Sequence, residues 1–151
     1  MLTLPSDFIE GYSYSIAPRL FQPIIRIKTI KIMVKFNSIE PFIPSGSDFE
    51  ASKALFLALG FSINWENNGY IGFQRGNCQF ILQDYDDKHF AENLMIRMTV
   101  SDLDAFWAEI SPKELTKTFN IKLKEPTHFP YGREINLIDI AGVCWHIAQD
   151  E

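Results

Sequence analysis

Two copies of one short pattern constrain this chain more than anything else in it. Ser47-Asp48-Phe49-Glu50-Ala51 recurs 54 residues later as Ser101-Asp102-Leu103-Asp104-Ala105. A small polar residue ahead of an apolar run, with a carboxylate in the next turn, marks a helix start. The side chain satisfies N–H groups that have no partner inside the helix, and the acid complements the positive end of the helix dipole. Ser47 and Ser101 are read as the N-caps, each worth about 1 kcal/mol. Phe49, Leu55, Phe56 and Leu59 follow the first at helical spacing, with Gly60 as the stop; Leu103, Phe106, Trp107 and Ile110 follow the second, which ends before Pro112. A repeat of this length means one supersecondary unit used twice.

Strand-like runs surround both helices. Ile39-Glu40-Pro41-Phe42-Ile43 precedes the first, and Phe61 to Trp65, Gly69 to Phe73 and Cys78 to Gln83 follow it, separated by turns at Asn67-Asn68-Gly69 and Gly76-Asn77. Leu94 to Val100 opens the second half. A run near Ile121-Lys122-Leu123 and a closing hairpin complete it. Both halves therefore read β-α-β-β-β, an α+β arrangement of two modules at about 37–85 and 93–149, with the charged stretch Asp84 to Glu92 as linker. The hairpin pairs Ile135-Asn136-Leu137-Ile138 with Val143-Cys144-Trp145-His146-Ile147-Ala148. Alternation puts Val143, Trp145 and Ile147 toward a core, and Cys144 and His146 toward whatever lies on the other side.

With 13 Phe, 5 Tyr and 3 Trp in 151 residues, the chain has apolar bulk enough for a core. Its formal charge of −5 argues against a phosphate-backbone binder, so no nucleic-acid partner is expected. Cys78 and Cys144 lack the spacing of a zinc pair and the number of a disulfide framework, and are read as small buried hydrophobes in a reducing cytoplasm. Residues 1–36 are read as a separate extension. Arg19, Arg26, Lys28, Lys31 and Lys35 against Asp7 and Glu10 give it +3, leaving −8 for residues 37–151. No secretory signal is expected, and no stretch approaches the roughly 20 apolar residues of a membrane span. The run from Ile24 to Val34 alternates between apolar and basic as a half-exposed strand would, and Met33, just before the first module, is a candidate second start of translation.

The closing segment carries a family resemblance. Pro130-Tyr131-Gly132-Arg133-Glu134 with Asp139-Ile140-Ala141-Gly142-Val143-Cys144-Trp145-His146 resembles the P-W-G-R-E and D-P-A-G-N-C-V-H motifs of the bleomycin resistance proteins. Leu59-Gly60-Phe61-Ser62 and Leu103-Asp104 with Ala108-Glu109 fit the same family in order and spacing. The resemblance covers residues 37–151. It implies membership of the glyoxalase, bleomycin resistance and extradiol dioxygenase (vicinal oxygen chelate) superfamily, with curved mixed sheets around a cleft. The superfamily's enzymes hold a divalent metal with His and Glu side chains. The corresponding positions here fall near Glu40 or Pro41, in the Cys78 to Gln83 strand, at Met95 and at His146. Met is a poor ligand for such ions and the strand offers Gln, so only Glu40 and His146 remain, short of the three ligands such chemistry needs. No metal or other cofactor is therefore expected. The alternative is a metal-dependent lyase, thiol transferase or dioxygenase.

The bleomycin resistance proteins bind drug unaltered, in clefts at a dimer interface, with a planar tail stacked between aromatic rings. The resemblance carries these stacking positions to Tyr70 and Tyr131, with Trp65 near the rim and Gln83 close by. Each also has a plainer reading: Tyr70 and Trp65 as cover for the sheet, Gln83 as a solvated strand end, and His146 as a hydrogen-bonded cavity histidine. His89 and His128 are read as surface residues. Arg97 replaces a family Trp. If buried it needs an acidic partner, Glu40 or Glu134, or an anionic ligand. The implied function is a metal-free, homodimeric, cytoplasmic protein that sequesters a small aromatic ligand or a bleomycin-type antibiotic, using Trp65, Tyr70, Gln83, Arg97, Tyr131 and His146.

Overall fold

The computed structural model describes residues 34–149. Contacts divide the chain between Lys35 and Phe36, and every helix and strand among the described residues belongs to the second unit. The alternating run from Ile24 through Met33, and the start expected at Met33, lie outside the described residues.

Both repeated patterns open helices, α1 (Phe49–Ala58) and α3 (Leu103–Ile110). The caps are Asp48 and Asp102, not the serines before them. Their side chains accept from Ala51 N at 2.9 Å and Ala105 N at 2.8 Å. A carboxylate in that place satisfies an orphan N–H and adds a full charge at the positive end of the dipole, which a hydroxyl does not. Gly60 ends the first helix turn with φ +88, and a Cβ there would fall 2.6 Å from the Arg75 guanidinium. That close approach is used, because Arg75 donates to the Leu59 carbonyl, pairs with Glu109 at 2.7 Å and lies over the Phe106 ring. One side chain of the first module thus ties α1 to α3 of the second.

The first sheet contains β1 (Phe42–Pro44), β2 (Ser62–Asn67), β3 (Tyr70–Arg75) and β4 (Cys78–Gln83), in the order β1-β4-β3-β2. The second contains β5 (Met95–Val100), β6 (Lys122–Leu123), β7 (Thr127–Phe129), β8 (Gly132–Ile138) and β9 (Cys144–Gln149), in the order β5-β9-β8-β6, with β7 beside β8. In both, the opening strand lies parallel to the closing one and the other pairings are antiparallel. The sequence repeat is therefore a repeat of topology, and the α+β reading of two mixed-sheet modules holds.

Several expectations need correction. The first strand begins at Phe42, not Ile39; Pro41 has no N–H to give and contributes only its carbonyl, which accepts from Ile81 N at 2.9 Å. The linker contains a helix, α2 (Lys88–Glu92), capped by Asp87. A 3₁₀ turn (Ser111–Lys113) and α4 (Leu115–Phe119) fill the stretch after α3. The two cysteines are free and half-buried rather than buried.

The core lies between the helices and one face of each sheet. Phe56 of α1 meets Phe61, Phe73 and Phe80 at centroid distances of 4.7–6.1 Å. Trp145 of β9, 2% exposed, reaches across the modules to within 5.3 Å of both Phe56 and Phe80. Each such ring contributes on the order of 1.5–3 kcal/mol by burial. Because the core takes one face of each sheet, the other two faces are left for function. Among the described residues no helix is long and apolar enough to cross a membrane.

Candidate ligand-binding site

The hairpin of β8 and β9 sets the second sheet's free face. Its turn is held by Asp139, whose Oδ1 accepts from Gly142 N and Val143 N (3.0 and 2.9 Å) and whose Oδ2 accepts from Trp145 Nε1 at 2.8 Å. Burial pushes the Asp139 carboxyl up to about 6, against the pull of those N–H donors. With the turn fixed, Ile138 pairs with Cys144, and alternation follows as the sequence implies. Val143, Trp145 and Ile147 are buried while Cys144 and His146 are half-buried on the far face.

On that face Glu134, 3% exposed, is the centre of a polar cluster. Its Oε1 lies 2.8 Å from His146 Nδ1 and accepts from Asn136 Nδ2 at 2.9 Å and from the Tyr131 hydroxyl at 3.3 Å. An Nδ1–H donated to the carboxylate leaves His146 Nε2 as the acceptor, and that atom faces Cys144 Sγ at 3.4 Å. Burial penalises the Glu134 charge, but the hydrogen bonds from His146 and Asn136 outweigh it and hold the carboxyl below its ordinary range. Desolvation and then the Glu134 charge raise both Tyr131 and Cys144. His146 is thus a hydrogen-bonded histidine of a polar face, with its remaining nitrogen turned toward the thiol.

Arg97 of β5 stands directly opposite His146, which stands opposite Asn136, so one row crosses three strands. Arg97 is exposed and makes no ion pair with Glu40 or Glu134 among the described residues; solvated as it is, it needs none. It borders an open cavity of about 520 Å³ with Tyr131, Arg133, Glu134 and Gln149. Tyr131, 69% exposed, stacks on Phe129 with centroids 5.3 Å apart and planes at 9°. Arg133, the second residue of β8, grips Asp104 of α3 with both Nη atoms, at 2.8 and 2.5 Å. A second, wider groove of about 1150 Å³ runs between the start of β4 and β5, with Phe61, Phe80, Phe106 and Trp145 in its lining, and Arg97 lines this one too.

The first sheet's free face is aromatic. Register puts Phe42, Ile81, Gly72 and Trp65 in one row across four strands, with Gln83 opposite Tyr70 in the next. Phe42, Trp65 and Tyr70 are 54%, 42% and 36% exposed, more apolar ring surface than a covered sheet leaves open. Phe42 meets Tyr70 edge to face at 6.1 Å, and Gln83 Nε2 reaches the Tyr70 hydroxyl at 3.5 Å. A register shift between Ile63 and Trp65 aims the indole across the sheet, as bulges do.

The six expected site residues therefore fall into two groups. Trp65, Tyr70 and Gln83 share the first sheet's free face; Arg97, Tyr131 and His146 share the second's. The Arg97 cavity draws no residue from the first sheet. Asn136, Phe129 and Phe42 were not read as site residues and Glu134 was weighed only as a partner for Arg97, although the parity of Glu134 and Asn136 against buried Ile135 and Leu137 was there to be used. Among the described residues no three His, Cys, Asp or Glu side chains are grouped to hold a metal ion. Among the described residues Glu40 accepts only from Ser38, at 3.0 Å.

No protein-family model and no curated protein matches the chain. Solved structures do. The bleomycin-binding protein of bleomycin-producing Streptomyces verticillus, solved with copper(II)-bleomycin, is 25% identical; the match covers 79% of this chain and 100% of that one, with a TM-score of 0.66. A bleomycin resistance determinant encoded on the transposon Tn5 is 22% identical over 77% of this chain and 99% of its own, with a TM-score of 0.62. An antibiotic-binding protein from a Streptomyces species is 17% identical over 79% and 100%, with a TM-score of 0.61. The resemblance drawn from the closing motifs is borne out in the fold, which the chain shares with the bleomycin-binding and bleomycin resistance proteins.

Proposed function

We propose that this chain is a metal-free binding protein that sequesters a small aromatic ligand, a bleomycin-type antibiotic among the candidates, in clefts formed where two copies meet. The observation that carries the reading is the set of half-exposed rings on a free sheet face: Phe42, Trp65 and Tyr70, with Tyr131 stacked on Phe129 on the other sheet. Rigid rings on strands offer a planar ligand apolar contact at low entropic cost, about 0.5–1.5 kcal/mol per stacked pair beyond area burial. Similarity to proteins solved with bleomycin supports the ligand class.

One chain holds the aromatic face and the polar face on separate sheets. A two-fold dimer that sets the first sheet of each copy against the second sheet of its partner completes two equal clefts. Trp65 and Tyr70 then stack the ligand from one side and Tyr131 from the other, with Gln83, Arg97 and His146 as polar contacts. Residues 37–151 form this domain and residues 1–36 a separate extension, in the cytoplasm. Binding without turnover is favoured over metal catalysis because Met95 and the glutamines of β4 stand where hard-metal ligands are required. Protection then depends on stoichiometry and Kd.

Titration with copper-free bleomycin or phleomycin, following Trp fluorescence, tests the reading. A saturable change that is lost in Trp65→Ala supports it. No response at micromolar drug rejects these antibiotics as ligands, and about one bound metal per subunit, lost in His146→Ala, would replace it with the enzymatic alternative.

A further inference from the structure

We propose that the cavity beside Arg97 receives an anionic group of the ligand, a carboxylate or a phosphate; this rests on the reading of the chain as a small-molecule binder and narrows the ligand's chemistry. The polar atoms around the cavity divide unevenly between donors and acceptors. Most acceptors are taken. Glu134 Oε1 faces His146, Asn136 and Tyr131; both Asp104 oxygens are held by Arg133; Gln149 Oε1 accepts from Leu103 N at 3.2 Å. Among the described residues the donors are not. The exposed Arg97 guanidinium has no hydrogen bond or ion pair and the Gln149 amide N–H₂ has no acceptor; Arg133 is held by Asp104, and its Nε is shut away from water and so from any ligand in the cavity.

The unused acceptor is Glu134 Oε2, on a side chain only 3% exposed. Spare donors thus outnumber spare acceptors, and the exposed charge on the rim is that of Arg97, the Glu134 carboxylate being buried and held by its own donors. Such a lining suits a group that only accepts and carries negative charge, which a planar guanidinium grips in bidentate fashion. The Tyr131 ring, exposed at the same rim, places aromatic contact beside the anion site. An aromatic acid or an aryl phosphate combines both features in one molecule.

The probes are benzoate, phenyl phosphate, benzamide and benzylamine, titrated into the whole protein while NMR follows the Arg97 Nε–H and Gln149 side-chain amide resonances. Both anions are expected to shift these signals with Kd values at least about tenfold below that of benzamide, and benzylamine is expected to leave them in place. Arg97→Gln removes the preference, and the tighter of the two anions identifies the head group. Equal binding of benzamide or benzylamine, an anion response unchanged in Arg97→Gln, or silence up to about 20 mM anion would each overturn the proposal. Trp fluorescence in the same titrations reports on the aromatic platform separately. A Trp65-dependent response without Arg97 shifts sinks the anion site alone, and the converse sinks the platform alone.

Discussion

The indole of Trp65 occupies the space that a side chain at Gly72 would fill: a Cβ built on Gly72 falls 2.2 Å from Trp65 Nε1. Gly72 is buried beneath that ring although its face of the sheet is otherwise open. The pair fixes the height at which the ring stands above the strands, and hence the platform. Gly72→Ala, whose backbone needs no left-handed conformation, is expected to push the indole outward. The checks are a changed Trp emission spectrum and about tenfold weaker ligand binding, with a stability loss of no more than about 1–3 kcal/mol.

Glu134 holds the polar face together, so removing its charge has a specific cost. Glu134→Gln keeps the shape but replaces a charged acceptor by an amide, and is expected to destabilise the protein by about 2 kcal/mol in urea unfolding. Histidine ¹⁵N shifts are expected to show His146 losing its fixed Nδ1–H tautomer. The Glu134 carboxyl is held below its ordinary range, so its contribution is present at neutral pH and disappears as pH falls through that lowered value.

Asp139 behaves in the opposite way. Its carboxyl, pushed up to about 6 by burial against an ordinary 3.8, keeps its proton in the folded state when the unfolded chain has released it. Between those values the folded state binds more protons, so this group's contribution to stability falls as pH rises, by at most about 3 kcal/mol. Asp139→Asn lacks the titration. Urea unfolding of both proteins from pH 4 to pH 7 is expected to move the difference steadily in the variant's favour, on top of a constant penalty for the altered turn. A difference independent of pH would show that the N–H donors hold the folded carboxyl near its ordinary value.

The helices, the paired modules and the two-faced hairpin were legible because each rests on a local rule. The repeated Ser-Asp pattern located α1 and α3 to within a residue, and the parity of β9 separated Trp145 from His146. What escaped depends on tertiary context. α4 lies between Glu114 and Asn120, both at positive φ, and has no side-chain cap, so no local signal announces it. Arg97 was weighed as a buried charge needing Glu40 or Glu134, whereas β5 is an edge strand and leaves it in solvent. The two-module reading already divided the expected site residues between two sheets, but which free faces meet could not be read from motifs, since spacing along a chain does not say so.

That separation leads to the most direct test of the proposed cleft. If each site combines the aromatic face of one copy with the polar face of its partner, Trp65→Ala and Arg97→Gln chains should each bind poorly alone. Co-expressed in equal amounts and assorting at random, they should form dimers in which about one site in four is intact. Ligand titration of that mixture is expected to recover tight binding at about a quarter of the wild-type stoichiometry. A mixture that binds no better than either variant alone would contradict a site shared between copies.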